Sequence, residues 1–178
     1  MRKILFLFAI LSATLSFAQK LTTKTGKLAF EASVPGFEEV KAKNENVTCV
    51  LNKENGEIAT LALMKAFRFK IALMEEHFNE NYVESDTYPK ATFKGKITGF
   101  NADKLTTSWT EYQIKGKLEM HGKTNDVTAA AKIRKNDGGI EVQTSFNVNA
   151  SDYAIKIPSV VKSKVSNKID VTGTFLLK

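Results

Sequence analysis

The stretch Tyr112–Met120, which reads YQIKGKLEM, decides the fold, because apolar or small residues alternate strictly with polar ones along it. Successive side chains of a β-strand point to opposite faces, so this period of two predicts a strand with one buried face and one wet face. Antiparallel sheets commonly have one solvated face, whereas parallel sheets are usually covered on both. The stretch therefore predicts an antiparallel sheet.

The same alternation recurs along most of the chain beyond residue 26. Further runs begin at Leu28, Phe67, Phe93, Val127, Ile140 and Ile169. Asn136–Gly139, His121–Gly122 and Asn55–Gly56 separate such runs, and these residue types favour tight turns because they tolerate positive φ. Only Met74–Val83 departs from the pattern: Met74, Phe78 and Tyr82 are four residues apart and would share one face of a short helix.

About eight strands in succession, with one short inserted helix, predict an all-β fold: a closed antiparallel eight-stranded barrel. The interior of such a barrel is wide enough for its side chains or for one small ligand. Small residues, including Gly95, Gly99 and Gly116, fall on the expected inward positions. Either they leave an apolar cavity beside the large side chains, or they relieve strain where the strands bend.

An apolar cavity would take an apolar ligand, since unfilled space forfeits dispersion contacts. The hydroxyls of Tyr112 and Tyr153 are candidates for orienting a polar headgroup near its mouth. If the interior is filled, the same side chains simply form the core. The candidate lining residues are Phe67, Phe69, Phe93, Ile97, Tyr112, Ile114, Leu118, Met120, Phe146, Tyr153 and Phe175.

The first 18 residues have the layout of a secretory signal peptide. Arg2 and Lys3 precede the apolar run Ile4–Leu11, and Ser16 and Ala18 stand at positions −3 and −1 of a cut before residue 19. The apolar run is too short to span a bilayer. We therefore expect residues 1–18 to be removed, residues 19–178 to form one domain, and the protein to be periplasmic or secreted rather than an integral membrane protein.

Composition argues against several function classes. The mature chain carries only two arginines, Arg68 and Arg134, and its lysines are scattered, which does not favour a nucleic-acid partner. His77 and His121 are the only histidines, so the sequence predicts no metal site, and neither lies in a recognisable catalytic motif. The single cysteine, Cys49, falls on the same strand face as Val47 and Leu51 and is expected to be buried and inert. No catalytic residue and no cofactor are predicted.

Several segments, in order, resemble the YceI-like family of bacterial polyisoprenoid-binding proteins. The resemblance covers roughly residues 26–177 and is carried by GKLAFEA from Gly26, FRF from Phe67, EHFNENYV from Glu76, YPKATFKG from Tyr88, IKGKLEMHGKT from Ile114, and FNV with DYAI from Phe146 and Asp152. It implies a lipocalin-like barrel that holds an isoprenoid chain, such as a quinone tail or a polyprenyl phosphate. It also implies a periplasmic or secreted location.

Together these observations predict an exported protein that holds a long apolar lipid inside a barrel and performs no covalent chemistry. Two alternatives remain open at this point. One is a structural or stress-response interaction module with a filled core and no ligand. The other is an esterase-like hydrolase, for which replacement of His77 and His121 should abolish ester turnover.

Overall fold

The computed structural model describes residues 20–178, so the predicted signal peptide lies outside the described residues. Alternating patterning produces nine strands in this part of the chain: β1 Lys20–Ser33, β2 Lys41–Asn52, β3 Glu57–Leu63, β4 Arg68–Phe69, β5 Lys90–Ile97, β6 Thr110–Met120, β7 Lys123–Asn136, β8 Gly139–Asn149 and β9 Val165–Leu177. One helix, α1 (Ala72–His77), continues into a wider helical turn, Phe78–Tyr82. It contains the predicted helical face, and Met74, Phe78 and Tyr82 are all half-buried.

Eight of the strands close into a barrel. Each pairs antiparallel with its neighbour in the order β1, β2, β3, β5, β6, β7, β8, β9, and β9 pairs again with β1. The short strand β4 pairs only with β2, outside this ring. Because β1 pairs with β9, the backbone N–H and C=O groups of both strands are hydrogen-bonded and neither is an exposed sheet edge. The predicted closed, antiparallel, eight-stranded barrel with one short helix is confirmed.

The predicted turns occur where the strands reverse. Asn136 pairs with Gly139 to close the β7–β8 hairpin, and Met120 pairs with Lys123 across the β6–β7 turn. His121 in that second turn has a φ of +50°, a left-handed conformation that non-glycine residues rarely adopt. Its side-chain contacts, described below, hold it there.

One expected strand is wrong. The alternation from Phe67 to Leu73 predicts a strand, but only Arg68 and Phe69 pair with β2, and the helix begins at Ala72. The Glu75 carboxylate accepts hydrogen bonds from the Arg68 guanidinium at 2.9 Å and from the Phe69 backbone N–H at 3.1 Å. These bonds turn the chain back on itself after two strand residues and leave Leu73 exposed on α1.

The two ends of the barrel differ. At the closed end, where residues 53–56, 98–109 and 137–138 connect the strands, four large inward side chains are at most 1% exposed: Leu51, Ile97, Ile133 and Leu177. Leu105, from the 98–109 connection, is buried across this end and packs in the same core. At the open end, where residues 34–40, 64–89, 121–122 and 150–164 connect the strands, Ala32, Ala42, Leu118 and Val127 are buried. Six other inward apolar side chains there are only half-buried: Phe30, Ala91, Phe93, Met120, Phe146 and Val148. The barrel is therefore a cup with one accessible mouth.

Candidate functional site: the barrel interior at its open end

An apolar cavity of about 70 Å³ lies inside the barrel, around the middle of its strands. It is lined by residues of seven strands: Leu28, Ile58, Thr60, Ala62, Ala91, Phe93, Ile114, Leu118, Ala129, Val142, Thr144, Phe146 and Phe175. Small-molecule pockets usually enclose about 300–1,000 Å³, so this cavity matches only a short piece of hydrocarbon. A longer chain requires some of the lining side chains to move.

Five of the eleven side chains expected to line a cavity lie on its wall: Phe93, Ile114, Leu118, Phe146 and Phe175. The other six lie elsewhere in the two adjoining apolar clusters of the barrel. Ile97 and Tyr112 are near the closed end, where Tyr112 packs on Phe100 with ring centroids 6.2 Å apart. Tyr112 is therefore far from the mouth at which its hydroxyl was expected to act.

Met120 and Tyr153 belong to a small cluster at the open end, together with Leu118 and Val127. This cluster borders the cavity, because Leu118 is part of both. Tyr153 is 1% exposed, and its hydroxyl has no hydrogen-bond partner among the described residues. Burial raises the pKa of this hydroxyl; the nearby Asn125 amide opposes the shift but donates its own hydrogen bond to the Asp152 carbonyl oxygen.

Phe67 and Phe69 lie beside the mouth in a cluster of four aromatic rings, completed by Phe30 of β1 and Phe78 of the helical turn. The Phe78 ring centroid is 5.4 Å from that of Phe30 and 5.1 Å from that of Phe69. Tilted and edge-to-face rings at such distances attract one another beyond their burial. The cluster attaches α1 and its following turn to the rim of the barrel.

The inward glycines do not leave the empty volume that one interpretation of the sequence expected. Gly95 and Gly116 face each other across β5 and β6, and a methyl group added at either would lie 2.7 Å from the Phe93 ring. The ring therefore covers both glycines and fills the space they free. Gly99, also expected to point inward, lies beyond the end of β5 in a turn with a φ of +70°.

His121 joins three segments at the open end. Its Nδ1 lies 2.8 Å from the Tyr153 carbonyl oxygen and its Nε2 lies 2.8 Å from a Glu84 carboxylate oxygen. Its ring also packs against that of Tyr88 at a tilt of 58°, with centroids 4.5 Å apart. Because both nitrogens face these acceptors, neither is placed to take a proton from a nucleophile. The contacts explain the strained turn at His121 and give this histidine a structural role.

Three further features bear on the chemistry of the described residues: the cysteine, possible metal ligands and possible membrane-spanning helices. The Cys49 side chain is buried in the core, and burial raises the pKa of its thiol to about 12. Within residues 20–178, no three His, Cys, Asp or Glu side chains come together as metal ligands would. No helix in the same part of the chain is both long and apolar enough to cross a bilayer.

Sequence reasoning missed the contribution of β3 and several small residues. Ile58, Thr60 and Ala62 of β3 all line the cavity. Their alternation is weak because Ala59 and Leu61, on the opposite face of the strand, are also apolar or small. The signal that identifies the inward face of β3 is its register with β5, where Ile58 pairs with Gly95.

A closed antiparallel barrel with one sealed end and an apolar interior accessible at the other defines the lipocalin-like class of barrels. A family model described as YceI-like domain matches residues 16–175, and the chain belongs to this family. A search of curated proteins found no match.

Three solved structures share the fold. A polyisoprenoid binding domain from Saccharophagus degradans, implicated in plant cell wall breakdown, superposes with a TM-score of 0.75 at 15% identity, covering 88% of this chain and 95% of that one. Burkholderia cenocepacia BcnA has a TM-score of 0.69 at 14% identity, with 84% and 94% covered. The Campylobacter jejuni YCEI protein has a TM-score of 0.61 at 14% identity, with 82% and 88% covered.

Proposed function

We propose that this protein is exported and binds a long apolar lipid, of the polyisoprenoid or quinone type, inside its barrel without covalent chemistry. The observation that carries the proposal is the difference between the two ends. Leu51, Ile97 and Leu177 are at most 1% exposed at the closed end. Toward the open end the inward rings of Phe30, Phe93 and Phe146 remain half-buried, and Phe93 and Phe146 line the cavity. Half-buried phenylalanines facing inward at a single mouth suit an apolar ligand that enters there.

The type of lipid is suggested by the family and by the Saccharophagus degradans relative, which is a polyisoprenoid binding domain. Burial of an isoprenoid chain contributes roughly 25 cal/mol for each Å² removed from water, before ordering costs are subtracted. The cavity of about 70 Å³ is too small for the whole chain. We therefore propose that binding displaces the side chains nearest the mouth, above all Phe93 and Phe146.

The first test is an organic-solvent extract of the purified protein, analysed by mass spectrometry for a co-purified isoprenoid. Mass analysis of the intact exported protein tests export as well, because cleavage after Ala18 leaves residue 19 at the N-terminus. A chain that retains residues 1–18 in its native host would contradict the export part of the proposal and leave the lipid part standing.

A matched pair of variants on β7 tests where the lipid lies. Ala129 lines the cavity, and its neighbour Ala130 is exposed on the outer face of the same strand. Ala129→Leu adds three carbon atoms inside the cavity, and we expect it to weaken binding of the C20 alcohol geranylgeraniol by about tenfold or more, the equivalent of two methylene groups left unburied. Ala130→Leu should bind like the wild type.

The second candidate function is an interaction module with a filled core, and the small cavity volume favours it. It predicts no co-purified lipid, no saturable binding of geranylgeraniol, and no difference between Ala129→Leu and Ala130→Leu in any binding measurement. Loss of stability in Ala129→Leu alone would not distinguish the two candidates, because overpacking a core costs about 1–3 kcal/mol in either case. The binding difference is therefore the deciding measurement.

A further inference from the structure

Exposed large apolar side chains are concentrated at the open end of the barrel. Among the described residues, five such side chains are conspicuous, and four of them lie there: Phe37, Leu63, Leu73 and Val160. Val160 is the most exposed of these, at 81%. Single exposed apolar side chains are ordinary, but several around one opening indicate a surface that meets something apolar.

The charge around Val160 has one sign. Residues 154–169 read AIKIPSVVKSKVSNKI and include four lysines but no aspartate or glutamate. Lys156, Lys162, Lys164 and Lys168 are all exposed, and no ion pair among the described residues involves them. The most exposed apolar side chain at the mouth therefore lies among lysines whose charge is not neutralised by a carboxylate.

The segment that carries Val160 is held firmly at its base. The Ser151 backbone N–H donates to the Asn167 side-chain oxygen at 3.0 Å, and the Asn167 amide donates to the Ser151 hydroxyl at 3.2 Å. Between these anchors, residues 156–164 form an exposed tip. The Phe37 loop lies beside it, because Ser33 at the start of that loop pairs with Val165. Phe37 and Val160 thus extend from the same pair of strands. The Phe37 loop also carries the exposed Glu38 and Glu39, and Glu39 pairs with Lys41.

A second segment at the mouth, from α1 to Asp86, is acidic. Exposed or half-buried carboxylates crowd α1 and the segment that follows it: Glu75, Glu76, Glu80, Glu84 and Asp86. Only some of them have cationic partners, such as Arg68 for Glu75 and Lys65 for Asp86. The mouth therefore carries a lysine-rich segment, 154–169, and an acidic segment, 75–86, and only the lysine-rich segment is attracted to a negatively charged surface.

We propose that Phe37 together with residues 156–164, which we term the basic rim, docks on the surface of an anionic lipid bilayer. Phe37 and Val160 enter the boundary between headgroups and acyl chains, and the lysines lie among the anionic headgroups. A protein partner fits less well, since lysine is depleted from protein–protein interfaces. The purpose of docking rests on the proposed function: it would hold the mouth against the reservoir from which an apolar lipid is taken.

Co-sedimentation with vesicles tests the proposal. The wild type should bind vesicles of phosphatidylcholine that contain about 30% of the anionic lipid phosphatidylglycerol. It should dissociate from them as the salt concentration is raised. Reversing Lys162 and Lys164 to glutamate should lower partitioning by on the order of 30-fold or more, and Val160→Asp should also lower it. The matched control reverses Lys94 and Lys115, which face outward on the barrel wall, and should retain most of the binding.

The control is well suited because each new glutamate would face a lysine on the paired strand, Lys117 for position 94 and Lys96 for position 115. Equal losses in the rim and control variants would show attraction by net charge alone and overturn the proposal, as would equal binding to pure phosphatidylcholine or no vesicle binding at all. Docking needs no bound cargo, and geranylgeraniol binding needs no vesicle. Failure of one assay with success of the other therefore shows which proposal is wrong.

Discussion

Replacement of Phe93 by alanine should lower stability and strengthen ligand binding at the same time. The Phe93 ring covers Gly95 and Gly116 and forms part of the cavity wall. Because those glycines have no side chains that can collapse into the vacated space, the cavity should persist. Phe→Ala substitutions in cores cost about 3–5 kcal/mol, and the half-buried position of Phe93 places the expected cost near 3 kcal/mol. For a domain of this size that corresponds to a fall in Tm of roughly 6–12 °C.

The same substitution should raise the affinity for geranylgeraniol by about tenfold, because room for some two further methylene groups opens beside the existing cavity. Thermal unfolding followed by circular dichroism gives the first quantity, and titration of the prenol gives the second. Phe100→Ala is the control: Phe100 is also half-buried but packs on Tyr112 near the closed end. It should lose stability without gaining affinity. Parallel loss of stability and affinity in Phe93→Ala would refute the idea that this ring occupies the ligand's space.

Three further changes have expected outcomes. Ala154→Gly should raise stability by roughly 0.5–1 kcal/mol in chemical denaturation, since Ala154 has a φ of +57° that glycine adopts without strain; an unchanged midpoint would contradict this. Tyr153→Phe should raise the Tm of the lipid-free protein, because it removes a buried hydroxyl without a partner, worth about 1 kcal/mol; a fall in Tm would indicate a hydrogen bond at that hydroxyl. Cys49 should resist thiol reagents at pH 9 until the protein unfolds. Burial raises the pKa of its thiol from 9.0 to about 12, so between these values the folded chain holds a proton that the unfolded chain loses, and this contribution to stability should fall as pH rises.

The strands of this barrel were predictable because each has one wet face. Tyr112–Met120 pairs along its whole length with β7, as the strict alternation in its sequence requires. Where both faces of a strand are apolar, as in β3, alternation carries little information and the strand was not recognised. A residue later in the chain can also end a predicted strand. The Glu75 carboxylate accepts a hydrogen bond from the Phe69 backbone N–H, so the strand that the alternation predicts to Leu73 stops at Phe69.

The size of the cavity was not predictable for a different reason. Alternation correctly places Gly95 and Gly116 on the inner face, but whether they leave space depends on the rotamer of Phe93, two residues before Gly95. Likewise, Tyr112 and Tyr153 both point into the core, yet they lie near opposite ends because β6 starts at one end and the 150–164 connection caps the other. The volume of a cavity depends on how all the surrounding side chains pack together. The alternation pattern of a single strand does not contain that information.

Because the barrel is closed at one end, a chain-shaped ligand would have to enter and leave through the same mouth. A tube open at both ends would let a molecule thread through, so that either terminus emerged first. In a barrel closed at one end, the apolar end of a lipid would enter first and leave last. Its polar headgroup would stay at the mouth throughout. Uptake and release of the lipid would therefore follow the same path in opposite directions. The protein would present the same surface, the mouth of the barrel, to the membrane that supplies the lipid and to the site that receives it.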